Sequence, residues 1–224
     1  MRNCQIQACL RLISFITLAL VTGLSQAHPH VWVDLRVRPL MNDQQQLVAL
    51  QQSWRFDPFY SLILIEELER GGPANEQEQR YDQLALEVAT NLARFDFFSR
   101  VSSQGSRQVF SEVTEYNLMR VGQRVEFSFV LPLQTPLDSR TPFNYQVYDP
   151  SYYIEILHTP EIGLDRASLP PACQVDLQAP NPSSDLIEKA LALDADQTPD
   201  DPELGSHFAE RVLIQCQSED TNKD

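Results

Sequence analysis

Apolar and polar residues alternate strictly near the start of the chain, and this stretch predicts the first strand. One side carries Val31, Val33, Leu35 and Val37, and the other carries His30, Trp32, Asp34 and Arg36. Alternation with a period of two is typical of a strand with one buried face. The same alternation places His28 and His30 on one side, about 7 Å apart at the backbone.

Patterning along the rest of the chain predicts strands and helices in a mixed order. Predicted strands cover residues 47–56, 107–120, 123–133, 143–148, 152–157, 175–177 and 208–216. Predicted helices run from Pro58 to a stop at Gly71, from about residue 76 to 98, and from 183 to 193. Asp57 is the expected N-cap of the first helix, with Pro58 at its first position. The two longest strands should form a hairpin around Val121-Gly122.

Residues 1–27 have the three parts of a secretory signal. Arg2 and Arg11 supply positive charge, an apolar run from Leu12 to Leu24 follows, and Ser25-Gln26-Ala27 ends the segment as a cleavage site. The apolar run is too short to span a bilayer as a stable helix. We therefore expect a soluble periplasmic protein whose first residue is His28, with a free α-amine beside its imidazole.

Charge excludes one class of partner. The chain has a formal net charge of −14, and residues 1–27 contribute two arginines and no acids, so the mature chain is near −16. Nucleic acids and anionic membranes attract positively charged proteins, so neither is an expected partner. The acidic balance suits a protein that handles cations, although most acidic surfaces are simply solvated.

Two cysteines, Cys173 and Cys216, remain after the predicted processing. In an oxidising compartment two such cysteines usually form a disulfide, and no C-x-x-C spacing supports a thiolate metal site instead. The order of elements then predicts an α+β fold with mostly antiparallel sheet, two consecutive helices on one side and a disulfide-stapled C-terminal part. We expect one compact domain over residues 28–216, or two subdomains within it, and a frayed tail at 217–224.

His28 and His30 are the leading candidate ligands for a metal ion. Two imidazoles at strand spacing can close on one zinc, copper, nickel or cobalt ion. A copper clamp through successive backbone amides needs an N–H at the second position, and Pro29 has none. His158 and Asp149 are the further candidate ligands. The competing interpretation is a pair of exposed histidines at a frayed end.

Other polar residues have structural explanations that compete with a site. Asp34 is about 13 Å along the strand from His30, so it should pair with an arginine such as Arg55. Asp149 lies in an Asp-Pro turn before the pair Tyr152-Tyr153, where an aspartate usually bonds its own backbone. A lone histidine such as His158 is more often a hydrogen-bonded core residue than a ligand.

Catalytic motifs are absent from the sequence. It contains no G-x-S-x-G, H-E-x-x-H or C-x-x-C pattern and no phosphate-binding loop. We therefore predict a protein that is not an enzyme. A weaker alternative is a copper-dependent oxidative enzyme that uses the N-terminal histidine as a metal ligand.

Four motifs, HPHVWVD, WRFDPFYS, NLARFDFFS and VYDPSYY, carry a resemblance to a known family. With them the chain resembles the bacterial family DUF1007 over essentially its whole mature length. That family's members are exported proteins catalogued as periplasmic components of uncharacterised ABC-type transport systems. They often occur beside nickel, cobalt or zinc transport genes. The resemblance therefore implies a transport accessory with a membrane permease as partner and a divalent transition metal as ligand. The alternative is a ligand-free interaction module that docks on the permease.

Overall fold

A computed structural model describes residues 29–160, 163–193 and 197–217, and within them ten strands form two five-stranded sheets. The strands are β1 (Val31–Met41), β2 (Gln46–Phe56), β3 (Ser99–Ser103), β4 (Ser106–Arg107), β5 (Tyr116–Val121), β6 (Arg124–Asp138), β7 (Phe143–Val147), β8 (Ile154–His158), β9 (Cys173–Gln178) and β10 (Arg211–Cys216). The helices are α1 (Pro58–Arg70), α2 (Gln77–Ala93) and α3 (Ser184–Leu191). Single 3₁₀ turns cover Ala74–Glu76, Asp96–Phe98 and Leu204–Phe208.

The first sheet has the order β5-β6-β2-β1-β8, and the second has the order β4-β3-β7-β10-β9. All pairings are antiparallel except the one between β1 and β8. The predicted α+β class with mostly antiparallel pairing is confirmed, although the strands divide between two sheets. Among the described residues, no helix is long and apolar enough to cross a membrane.

The core forms where the apolar face of the first sheet meets α1, α2 and the second sheet. Alternate residues of β1 point into it, as the pattern predicted, and Val37 is completely buried. Trp54 lies between Phe98 and Phe129, with ring centroids 6.0 and 5.5 Å from its own. Because the apolar residues of β1 face inward, Asp34 and the other polar residues of this strand occupy the opposite face of the sheet.

The two predicted helices form, but the second ends earlier than expected. The Asp57 carboxylate caps α1 by accepting the backbone N–H groups of Phe59 and Tyr60, as predicted. The chain leaves α2 after Ala93 rather than at residue 98, because residues 96–98 take positive φ angles of 53°, 51° and 55°. This left-handed turn redirects the chain into β3, and two of its residues, Phe97 and Phe98, are buried.

The hairpin around Gly122 is confirmed, whereas the predicted strand over residues 107–120 is wrong in its extent. Gly122 has a φ of 66° in the turn between β5 and β6, a conformation that favours glycine. The stretch divides into β4, an irregular segment and β5. Phe110 bridges to Leu133 in β6, but the backbone then bulges before it rejoins β6, where Val130 donates its N–H to Glu115.

The C-terminal elements follow the prediction with shifted ends. Cys173 and Cys216 face each other across β9 and β10 and form the predicted disulfide, with an S–S distance of 2.04 Å. The final strand starts at Arg211 rather than at residue 208, because Leu204–Phe208 form a 3₁₀ turn. Strand β8 likewise starts at Ile154 rather than at residue 152, since Tyr152 has a φ of 59° in the preceding turn.

Candidate functional site

His30 lies immediately before β1, at the end of the first sheet where β8 also begins. Its backbone N–H donates to the carbonyl oxygen of Tyr153 at 2.9 Å. Its ring packs on the Tyr153 ring, with centroids 4.8 Å apart and planes tilted by 32°. The side chain is half-buried. His30 is therefore held against β8, while His28 and the predicted cleavage site lie outside the described residues.

His158 lies at the other end of the same strand pair, opposite Leu35, and is buried. One ring nitrogen is 2.8 Å from the Glu210 carboxylate, and the other is 2.9 Å from the Tyr145 hydroxyl. Its backbone N–H also donates to Glu210. Both ring nitrogens therefore already have partners, and the interpretation of His158 as a hydrogen-bonded core residue describes it better than a role as a ligand beside His30.

The cluster of His158, Glu210 and Tyr145, called here the buried histidine cluster, shifts the titration of two of its members. Burial acts to raise the pKa of Glu210, but the hydrogen bonds from the side chain and backbone of His158 lower this pKa below its ordinary value. Burial, together with the nearby charge of Glu210, raises the pKa of Tyr145 well above its ordinary value. The cluster therefore holds an ionised carboxylate beside a neutral phenol.

Asp149 bonds the turn that it begins, as the structural interpretation predicted. One carboxylate oxygen accepts the backbone N–H and the hydroxyl of Ser151, at 2.9 and 2.8 Å, and the other accepts the backbone N–H of Ile154 at 3.1 Å. Tyr152 stacks on Phe208 with ring centroids 4.1 Å apart, and burial and the charge of Glu155 raise its pKa. Asp149 thus shapes the turn after β7, and three donors already occupy its carboxylate.

The arginine that pairs with Asp34 is Arg124, not the expected Arg55. The carboxylate of Asp34 lies 2.5 Å from the Arg124 guanidinium, and Arg55 lies 2.9 Å from Glu126. Asp34 and Arg55 are direct neighbours across β1 and β2, but β6 supplies a charged partner for each of them. Asp57 has a second contact besides its cap, because it also accepts the backbone N–H of Trp32 at 3.3 Å.

The described residues do not assemble a complete metal centre. Within the ranges that the structure describes, no group of three or more His, Cys, Asp or Glu side chains could hold a metal ion. Of the predicted ligands in these ranges, His158 and Asp149 already make hydrogen bonds within the fold. His30 is therefore the one that stays a candidate metal ligand. His28, the other predicted ligand, lies outside the described residues.

A cleft on the solvent-facing side of the first sheet was missed by sequence reasoning. It has a volume of about 260 Å³. Its lining includes Asp34, Arg36, Ser53, Arg55, Glu126 and Thr159, and we call it the arginine cleft. The alternation in β1 places Asp34 and Arg36 on one face. The contributions of β2, β6 and the segment after β8 depend on strand order and register, which the alternation does not specify.

A second surface, called here the apolar patch, adjoins the start of β1. It consists of Trp32, Phe59, Leu62 and Ile63, of which Phe59 is 75% exposed and Trp32 is 49% exposed. Trp32 and Phe59 both contact Asp57 through their backbones, and Leu62 and Ile63 lie one helical turn further along α1. Large apolar side chains that are exposed at neighbouring positions are typical of interaction surfaces.

Within the described ranges, two mostly antiparallel sheets, three helices and one disulfide define an α+β protein, and comparison with known proteins supplies its family. The chain belongs to DUF1007, described as a protein of unknown function, whose family model matches residues 13–216. A protein of Haemophilus influenzae, described only as uncharacterized, is 28% identical over 195 residues. The alignment covers 85% of this chain and 92% of that protein.

Proposed function

We propose that the protein is a periplasmic accessory component of a transport system that binds one divalent transition metal ion through His28 and His30. The observation that carries this proposal is the position of His30, whose backbone and ring are both held against Tyr153 where β1 begins. An extended chain through Pro29 would put a second imidazole on the same side, within reach of the same ion.

The chemistry of these donors favours zinc, copper, nickel or cobalt. Imidazole nitrogens suit these ions, whereas carboxylate and carbonyl oxygens suit calcium and magnesium. Pro29 lacks the N–H that a square-planar amide site would use, so the ligands are two imidazoles and the α-amine of the mature chain. An ABC-type permease is the proposed partner, as the resemblance to exported transport components implies.

Calorimetric titration of the exported protein, with any tag at the C-terminus, tests the proposal. We expect one Zn²⁺, Cu²⁺ or Ni²⁺ ion to bind with a dissociation constant of about 1 µM or tighter, and we expect the double variant His28→Ala/His30→Ala to lose this binding. Binding should weaken as the pH falls below about 6, because protonation of imidazole competes with the metal.

His207→Ala is the matched control for this titration. His207 is a surface histidine that contacts Asp201 at 3.1 Å in the described structure, so its removal makes the same chemical change elsewhere. The control variant should bind as the native protein does. Equal affinity in the native and double-alanine proteins, or no binding in either, would exclude the metal function.

The apolar patch favours a second candidate function, a ligand-free module that docks on the permease. Large apolar side chains such as Phe59 and Trp32 are anchors of protein interfaces, and they adjoin His30 on the same end of the sheet. The double variant Trp32→Ala/Phe59→Ala should abolish binding to the purified permease and leave metal titration unchanged. Undiminished permease binding by this variant would exclude the docking surface.

A further inference from the structure

The arginine cleft is lined by two arginines, Arg36 and Arg55, and two carboxylates, in a chain whose formal net charge is −14. Both carboxylates are paired, because Arg124, which is outside the lining, contacts Asp34, and Arg55 contacts Glu126. Arg36 is therefore the positive charge of the cleft that no carboxylate of the lining neutralises, and it favours an anion at this position.

Two of the three arginines already pair with a carboxylate of the sheet. Arg124 donates to the backbone carbonyls of Arg55 and Phe56 as well as to Asp34. Arg55 donates to one oxygen of Glu126 through two of its nitrogens, at 3.1 and 2.9 Å. These contacts fix the floor of the cleft and leave neither group as the natural anchor of a ligand.

Arg36 differs from both of these arginines. Its side chain is exposed, and it makes no ion pair or hydrogen bond with any residue in the described ranges. Ser53 lies directly opposite Arg36 across β1 and β2, which puts the two Cβ atoms about 5 Å apart. The guanidinium and the hydroxyl can therefore donate to one bound group from adjacent strands.

We propose that the arginine cleft binds a small organic molecule that carries a single carboxylate group, with Arg36 as its anchor. Guanidinium and carboxylate form two parallel hydrogen bonds, a geometry that a planar arginine is built to make. Asp34 and Glu126 also line the cleft, so a monoanion fits there better than a phosphate dianion, which these carboxylates would repel more strongly.

The volume of the cleft limits the size of this ligand. A space of about 260 Å³ corresponds to roughly nine water molecules at about 30 Å³ each. The wall is formed by Thr159, whose hydroxyl oxygen is buried and accepts no hydrogen bond from the described residues. The Thr159 carbonyl oxygen accepts the backbone N–H of Gly163 at 2.8 Å, and a Cβ added at Gly163 would lie 2.5 Å from the Thr159 nitrogen.

Titration followed by two-dimensional NMR, with the arginine Nε–H groups observed, tests the proposal. The probes are hexanoate, benzoate and proline as monocarboxylates, hexanamide as the uncharged match of hexanoate, and inorganic phosphate. We expect at least one monocarboxylate to bind and to shift the Arg36 resonance, and hexanamide to have no effect. Arg36→Gln should weaken binding at least about tenfold, because a charge-assisted pair is lost.

Arg70→Gln is the control, because Arg70 is an exposed arginine that pairs with Glu66 on α1, away from the cleft. This variant should bind the monocarboxylate as the native protein does. The double variant His28→Ala/His30→Ala should also retain binding, so failure of the metal proposal would not affect this test. Absence of binding by all three monocarboxylates, tighter binding of phosphate, or equal affinity in Arg36→Gln would overturn the inference.

Discussion

His30 and His158 lie at opposite ends of the same parallel strand pair, and their surroundings differ completely. His158 is packed between the two sheets, where Glu210 and Tyr145 occupy both ring nitrogens. His30 rests on Tyr153 at the open end of the first sheet, beside the exposed Trp32. One residue type therefore serves as a structural connector at one end of the pair and as a candidate ligand at the other.

The arginines on the solvent-facing side of the first sheet repeat this contrast. Arg124 donates hydrogen bonds to Asp34 and to two backbone carbonyls. Arg36 makes no hydrogen bond or ion pair in the described part of the chain. For the arginines, the number of partners within the described residues separates the structural residue from the available one. A functional hypothesis for a charged side chain therefore needs its partners as well as its identity.

Removing the disulfide should cause the largest loss of folding stability, because the bond supports the region around His158. The bond joins residues 43 positions apart and staples β10, whose preceding residue is Glu210, to β9. Closing a loop of this length contributes about 4 kcal/mol through the unfolded chain. Urea unfolding of the variant Cys173→Ser/Cys216→Ser should show this loss, while metal titration at the His30 end stays unchanged. A loss below about 1 kcal/mol would contradict the expectation.

Replacing each histidine tests the comparison directly. His158→Ala should lower the free energy of unfolding by about 3 kcal/mol, because it leaves the Glu210 carboxylate and the Tyr145 hydroxyl buried without their partner. His30→Ala should cost less than about 1 kcal/mol, since its side chain is half-buried at the end of the sheet. Urea unfolding measures both values. Equal losses would remove the distinction between the two ends.

A smaller effect than that of His158→Ala is expected on the pH dependence of stability. The pKa of Glu210 lies below its ordinary value, so its ionised form stabilises the fold at a pH above the ordinary carboxyl range. This contribution is lost as the pH falls from about 5 through the lowered value. Glu210→Gln should cost about 1–2 kcal/mol at pH 7 and reduce the slope of stability against pH below about 5. An unchanged slope in urea unfolding at pH 3 to 7 would contradict this assignment.

Local patterns in the sequence were sufficient for most of the secondary structure. Alternation predicted the inward face of β1, and the Asp57-Pro58 pair predicted the start of α1, because each depends on neighbouring residues only. The disulfide followed from the small number of cysteines expected in the mature chain. The left-handed residues 96–98 were not predictable, because Phe97 and Phe98 reach this conformation through burial in the core.

The site was less predictable, because its contacts join distant parts of the chain. Nothing near His158 in sequence indicates that Glu210 and Tyr145 surround it, and nothing near Asp34 indicates Arg124. The arginine cleft needs the register between β1, β2 and β6, and local alternation does not specify register between strands. By contrast, the role of Asp149 was predictable, because its partners lie within five residues of it.

The parallel pairing of β1 with β8 has a consequence for how the fold assembles. A short turn joins strands β1 and β2, so they can pair early in folding. Val31 pairs instead with Ile154, some 120 residues later in the chain. Contacts between such distant segments form slowly, because the intervening chain must first be closed into a loop. Until β8 docks, one edge of β1 lacks a neighbour and His30 lacks its contact with Tyr153. The end of the sheet that holds His30 is thus among the last parts of the described structure to form, so the contact between His30 and Tyr153 marks a late stage of folding.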